Sequence, residues 1–289
     1  MCKKNNRNFM TFMLPTMVVL LIVLAVPMIY SFAVSFFDTN LKHKGMGNFV
    51  GLQNYISALT DKYFVSSAWT TLVFTIGVVI FEFLLGLGIA LLLNTNIRGK
   101  SIYFSIIIIP MMITPVAVGL TWRLLLHSEL GIVNYVLGFF GLSGKAWLAE
   151  SKLALPTVMF IDIWQNVSYM VLVLQAGLVS LPLEPYEAVK VDGASSLQSF
   201  RYLTIPMMMP TFMTVLLMRA ISALKTYDLI YVLTKGGPGV STEVISYHIY
   251  QEAFRNLKLG SASAMSYLLV LIIIPIAICF IKISKKNNS

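Results

Sequence analysis

Charge is scarce in this chain of 289 residues: 11% are Asp, Glu, Lys or Arg, against 57% hydrophobic. A soluble globular domain carries roughly a quarter charged residues, so that class is excluded and the chain belongs in a bilayer. Cysteine is nearly absent as well. Cys2 and Cys279 stand at opposite ends and match no metal or redox spacing, which excludes a disulfide scaffold and a thiolate metal centre. The three histidines, His43, His127 and His248, are scattered over segments that read as outer loops, with no H-E-x-x-H or second-ligand spacing. No serine sits in a G-x-S-x-G elbow, and no carboxylate pair stands beside a nucleophile. The run KGGPG, Lys235 to Gly239, lacks the Lys-Ser/Thr and the preceding buried strand of a phosphate-binding loop. Nothing here indicates an enzyme, a bound metal or a cofactor on this chain, and any work done with ATP falls to another polypeptide.

The net charge of +9 does not point to nucleic acid, because the lysines and arginines are spread over span ends and loops and build no basic face with interleaved aromatics. A helix needs about 20 apolar residues to cross a ~30 Å hydrocarbon core. Six such windows recur, near 12–36, 69–93, 102–126, 153–179, 205–224 and 262–283. The expected fold is therefore all-α, a polytopic membrane protein forming one transmembrane domain over 1–289. The first window is too long for the apolar region of a signal peptide and reads as an uncleaved anchor. The short segments 1–11, 94–101, 180–204 and 284–289 are denser in Lys and Arg than the longer alternate loops 37–68, 127–152 and 225–261. By the positive-inside tendency, both termini and the 180–204 segment face the cytoplasm.

Several spans carry groups that lipid does not welcome. The first contains Pro15 and Pro27, and is expected to be kinked or to begin late. The second carries Gly77, Gly86, Gly88 and Ala90, small residues that let another helix approach, and Glu82 near its middle. A carboxylate at that depth is either hydrogen-bonded to a neighbouring span or faces a wet interior. The third holds Pro110 and Pro115, an expected double break that is either a packing kink or the border of a cavity. Trp122 and Arg123 follow as interface anchors. Two shorter stretches, 48–59 and 131–142, read as surface helices, the second as an inert cover or part of a lid.

The fourth span is the most polar, with Asp162, Trp164, Gln165, Asn166, Ser168, Tyr169 and Gln175 in one window. Helical spacing places Asp162, Gln165, Asn166 and Tyr169 on one face. Such a stripe is either interhelical glue or the wall of a water-filled path. Rings beside amides and carboxylates also suit a polyhydroxylated ligand, whose C–H faces stack while its hydroxyls bond. Arg219 in the fifth span is placed to pair with Asp162 or Glu82, or to snorkel outward, and Lys225, Tyr227 and Asp228 follow it. Glu82, Asp162, Trp164, Gln165, Asn166, Tyr169, Arg219 and Tyr227 are thus the candidate substrate-path residues. Residues 243–256 read as an amphipathic outer helix.

Between Pro182 and Pro210 lies a polar interruption. Pro185 suits a first helical turn, Asp192-Gly193 ends that helix, and Ser195 with Gln198 has the spacing of a capping box opening a second. Two short helices meeting at a glycine elbow form a knob suited to a soluble partner.

Within this knob, Glu187-Ala188-Val189, three residues, Gly193, nine residues, then Leu203-x-Ile205-Pro206 resembles the EAA motif of binding-protein-dependent ABC importers, with Val189 in place of the second alanine. The extended form PYEAVKVDGA with Gln198, Phe200, Pro206 and Pro210 is similar to permeases of the carbohydrate importer family. The block from Tyr227 to Thr234, followed by Gly236 to Gly239 and Thr242-Glu243, resembles the MalF/UgpA type within it. The resemblance implies the type I permease fold of ABC importers and a heteromeric machine. That machine comprises a second homologous permease, two ATPase subunits holding ATP and Mg, and an external solute-binding protein delivering a sugar. It also implies that the loop 181–206 docks on the ATPase, with Glu184, Tyr186, Glu187, Ala188, Asp192, Gly193 and Ala194 as coupling contacts. Alternatives are an importer of another solute such as glycerol phosphate, for which an inward-facing Arg219 would be the charge partner, and a structural or sensory membrane subunit without flux.

Overall fold

The computed structural model describes residues 13–95 and 97–286, with side chains to Lys282 at the C-terminal end; Cys2, and Lys3, Lys4, Arg7, Lys285 and Lys286 of the charge argument, lie outside what is described in full. Among the described residues the chain is helical, and its extended pairings are two isolated bridges. Five helices are long and apolar enough to span a bilayer: α1 (Met13–Val34), α3 (Lys62–Leu93), α7 (Ser151–Val179), α9 (Ser196–Leu224) and the span Leu259–Lys282 within α12 (Leu259–Lys286). Two further helices, α4 (Lys100–Met112) and α5 (Pro115–Leu125), are together long and apolar enough for a sixth span and are bent by 94° at their junction. Shorter helices are α2 (Gln53–Thr60), α6 (Ile132–Phe139), α8 (Glu184–Val191), α10 (Asp228–Leu233) and α11 (Ile245–Tyr250).

The third span breaks once, where two breaks were expected. Pro110 is accommodated inside α4, and the chain turns at Ile113 and Thr114, both extended, before Pro115 opens α5 in its first turn. The residue before a proline is pushed out of the helical region, and proline's missing N–H costs nothing at a helix start. Pro115 therefore sets the break and Pro110 does not. In α1 the turn Leu21–Ala25 widens to a π-helix just ahead of Pro27, the local adjustment that lets a helix carry a proline. The 48–59 stretch becomes helical only from Gln53, because Phe49 pairs with Phe37 in a bridge.

The residues cluster into two compact units. In the first, which includes residues up to Phe64 and Ile249–Val270, polar groups fasten the chain to itself. Asn54 Nδ2 donates to the carbonyls of Ser35 and Phe37 at 2.9 Å each, and Tyr267 Oη donates to Met28 O at 2.5 Å. Gly260 is glycine because a Cβ there would lie 2.1 Å from Phe37 O.

The second unit, Val65–His248 with Leu271 onward, carries the polar site. α7 is its most enclosed span, half of its apolar window being buried. α3 lies along it at two glycines: a Cβ on Gly77 would meet Met159 Cε at 2.0 Å, and one on Gly86 would meet Met170 Cβ at 2.6 Å. In a bilayer, where lipid is as apolar as leucine, such close approach is the main source of helix association. Gly88, by contrast, faces open space. α10 packs on α5, and Arg123, expected to snorkel, donates from Nη1 to Val232 O at 3.3 Å. Asn134 organises the segment around α6, donating to Ser128 O and Lys145 O and accepting from Trp147 Nε1 at 2.8 Å. His248, within the stretch 243–256 read as an outer helix, does lie in a helix, α11, but is buried there with Nδ1 2.6 Å from Glu243 Oε1.

Candidate functional site

The polar stripe of α7 divides its work between two neighbours. Gln165 Nε2 donates to Ile113 O at 2.9 Å, satisfying a carbonyl freed by the break between α4 and α5, and Ser168 Oγ donates to Ile107 O at 2.6 Å. Those two residues act as interhelical glue. Asp162 and Asn166 bond to each other, Asn166 Nδ2 donating to Asp162 O at 3.0 Å and to Asp162 Oδ1 at 3.3 Å.

Asp162 faces Arg219 of α9. The guanidinium donates Nε to Glu82 Oε2 at 2.6 Å and Nη2 to Glu82 Oε1 at 2.8 Å, and Nη2 also bonds Asp162 Oδ2. Arg219 is 3% exposed, Glu82 0% and Asp162 4%. One arginine therefore joins α3, α7 and α9 through a bidentate fork on one carboxylate and a further bond to another. The choice that the sequence left open, pairing or snorkelling, is resolved as pairing with both acids. Groups this deep are stable only when mutually satisfied, since removing one partner from a buried ion pair costs about 3–5 kcal/mol.

Beside this clamp lies a polar cavity of about 220 Å³, lined by Asp162, Gln165, Asn166, Arg219 and Tyr227 from the predicted set and by Pro115, Ser222, Lys225, Thr226, Asp228 and Leu229. Three predicted path residues are placed elsewhere. Glu82 lies behind Arg219 and does not line the cavity. Tyr169 does not line it either, being almost two turns along α7 from Asp162. Trp164 points away: two residues beyond Asp162 is about 200° of helical rotation, and its ring lies edge-on to Trp122 at 5.6 Å in an apolar groove with Phe81 and Leu85. Ser222 and Thr226 were missed: Ser222, three residues after Arg219, is on the same helical face, whereas Thr226 lies beyond the end of α9 at Leu224, where periodicity gives no signal.

The 181–206 segment folds as two helices at an elbow. Glu184 and Glu187 lie in the first turn of α8 and Lys190 in its last, each complementing the helix dipole. The chain leaves α8 at Asp192, and Gly193 adopts φ +76°, the left-handed conformation that glycine takes without penalty. Ser195 and Gln198 form the reciprocal capping box that opens α9. A π-helical turn, Phe200–Thr204, then precedes Pro206. Glu184, Glu187, Ala188, Asp192 and Gly193 are exposed and Ala194 is half-buried. Tyr186 differs from these: its hydroxyl donates to Thr204 Oγ1 at 3.0 Å, turning inward to hold α8 against the base of α9. Around the knob Leu183, Val191, Leu197 and Tyr202 are between 72% and 87% exposed, an apolar display that water disfavours.

Residues 82–285 match the family model described as the binding-protein-dependent transport system inner membrane component. The chain belongs to this family. A probable ABC transporter permease of Sinorhizobium fredii is 36% identical over 92% of this chain and 86% of its own length. The trehalose/maltose transport system permease protein MalF of Thermococcus litoralis is 33% identical over 94% of this chain and 92% of its own. The fold of this transport component is that of a subunit in the crystal structure of a bacterial ABC transporter involved in the import of the acidic polysaccharide alginate, with TM-score 0.86 and 23% identity over 98% of this chain and 96% of that one.

Proposed function

We propose that this chain is one of two permease subunits of an ATP-driven sugar importer in a bacterial cell membrane, with both termini and the 181–206 knob in the cytoplasm. The observation that carries the reading is the exposed, rigid α8 elbow on a member of the transport family, joined through Tyr186 and Thr204 to the helix that bears Arg219. Two ATPase subunits beneath grip Glu187, Ala188 and Gly193 and the exposed apolar rim. ATP binding closes them, α8 moves, and α9 moves with it because the two are pinned together. An external solute-binding protein delivers the sugar to the opened cavity, and hydrolysis resets the cycle. No covalent chemistry on the solute is needed, and ATP and Mg stay on the ATPase subunits. Likeness to a trehalose/maltose permease and a polar, amide-rich cavity favour a sugar as cargo. A cavity of about 220 Å³ falls below the ~300–1,000 Å³ of enclosed ligand pockets, as suits a wall that the second permease completes. The whole 1–289 chain acts as one domain in this cycle.

The test is ATP-dependent uptake of maltose and trehalose into proteoliposomes holding the permease pair, the ATPases and the solute-binding protein. Uptake that needs every component supports the reading. A complete assembly that hydrolyses ATP without moving any sugar contradicts it.

A further inference from the structure

We infer that the cavity beside Arg219 is built for an uncharged polyhydroxylated solute, and that the Glu82–Arg219–Asp162 clamp sets this by withholding the guanidinium's charge from an anionic ligand. The inference rests on the sugar-import reading and narrows its substrate class.

A buried arginine on a transport path is ordinarily the obvious seat for a phosphate, sulfonate or uronate group, which its planar fork binds bidentately. Here the Nε–Nη2 edge of that fork is occupied from within the chain. Nε and Nη2 both engage Glu82, and Nη2 also engages Asp162. With two carboxylates against one guanidinium, the cluster carries no positive excess even when one acid holds a proton. Glu82 comes from α3, so an incoming anion cannot displace it without moving a helix held by Gly77 and Gly86. Asp162 lies between Arg219 and the cavity residue Asn166 and presents negative charge where an anion would have to sit. At the mouth, Lys225 and Asp228 are both exposed and of opposite sign. What the cavity offers otherwise is the neutral chemistry of Asn166, Ser222, Thr226 and Tyr227, which matches hydroxyl groups. The clamp thus supplies rigidity and polarity at the site without a cationic field.

Two measurements test this. In proteoliposomes carrying the complete assembly, ATP-driven uptake is compared for maltose, trehalose, sn-glycerol 3-phosphate and an alginate disaccharide. The neutral pair should enter on the order of tenfold faster or more, and Asp162→Asn should narrow that ratio. Entry of an anionic solute as fast as the neutral ones overturns the inference while leaving the transport reading intact. Entry of none of the four argues against the sugar reading itself. The second measurement depends neither on the cargo nor on the variants' activity: phenylglyoxal labelling of the purified chain, read by mass spectrometry at Arg219 and at the exposed Arg201. Arg219 should label many-fold more slowly than Arg201, and Glu82→Gln should raise its labelling. Equal rates at the two arginines in the unaltered chain overturn the inference.

Discussion

Tyr186 and Thr204 are joined by a 3.0 Å hydrogen bond between their side-chain hydroxyls, across the elbow that separates α8 from α9. Thr204 is buried and belongs to the π-helical turn before Pro206. The bond therefore spans from the exposed knob to the foot of the helix whose Arg219 clamps Glu82 and Asp162. A push on α8 would reach the foot of α9, about four helical turns before Arg219.

Tyr186→Phe removes the hydroxyl and little else. A neutral hydrogen bond of this kind contributes about 0.5–1.5 kcal/mol, so the complex should still assemble. The expected outcome is ATP hydrolysis close to the unaltered rate with a lower number of sugar molecules moved per ATP. Uptake and phosphate release measured on the same proteoliposomes give that ratio.

Gly193 separates backbone conformation from crowding. A Cβ there would meet nothing within 4 Å, yet φ is +76°. A left-handed residue other than glycine costs roughly 1–2 kcal/mol, and asparagine is the side chain that bears it best. Gly193→Asn should therefore retain most uptake, whereas Gly193→Val should lose it. Equal loss in both would mean that the partner needs the missing Cβ at this spot.

Gly86 and Gly88, two residues apart, point to nearly opposite faces of α3 and should respond oppositely. Gly86→Ala places a methyl 2.6 Å from Met170 Cβ and should lower thermal stability in detergent by about 1–3 kcal/mol. Gly88→Ala meets open space and should be neutral or stabilising by up to about 1 kcal/mol. Midpoints of thermal unfolding for the two purified variants decide this.

The clamp predicts strong coupling. Arg219→Met alone leaves two buried carboxylates without their partner and should cost about 3–5 kcal/mol. Adding Glu82→Gln and Asp162→Asn to Arg219→Met should recover a good part of that stability, because no uncompensated charge remains. A triple variant no more stable than the single one, on the same unfolding assay, contradicts this account of the cluster.

Much of this architecture was readable from local pattern. The fifth apolar window, 205–224, coincides with the regular part of α9, and the Ser195–Gln198 capping box forms as its spacing required. Those features depend on residues a few positions apart. The clamp could not be read in the same way, since Arg219 and Glu82 are 137 residues apart and helical periodicity says nothing about which face meets which helix. Trp164 was grouped with its polar neighbours by proximity in sequence, although its helical angle already set it on another face. Pro110 and Pro115 have the same intrinsic chemistry, and only position within a helix separates a tolerated proline from one that opens a new helix. The role of Asn134 is not legible in the sequence, because a lone asparagine in a short apolar stretch gives no periodic signal.

The central claim is that the α8 knob passes work from separate ATPases to the Arg219 cavity. Its most direct measurement is ATP-driven maltose uptake alongside ATP hydrolysis by the complete reconstituted assembly carrying Glu187→Lys. The exposed acid reversed in sign should cut uptake on the order of tenfold or more through a misfitted ATPase contact, while the chain remains inserted and paired with its permease partner. Uptake and hydrolysis both indistinguishable from the unaltered assembly would contradict the claim.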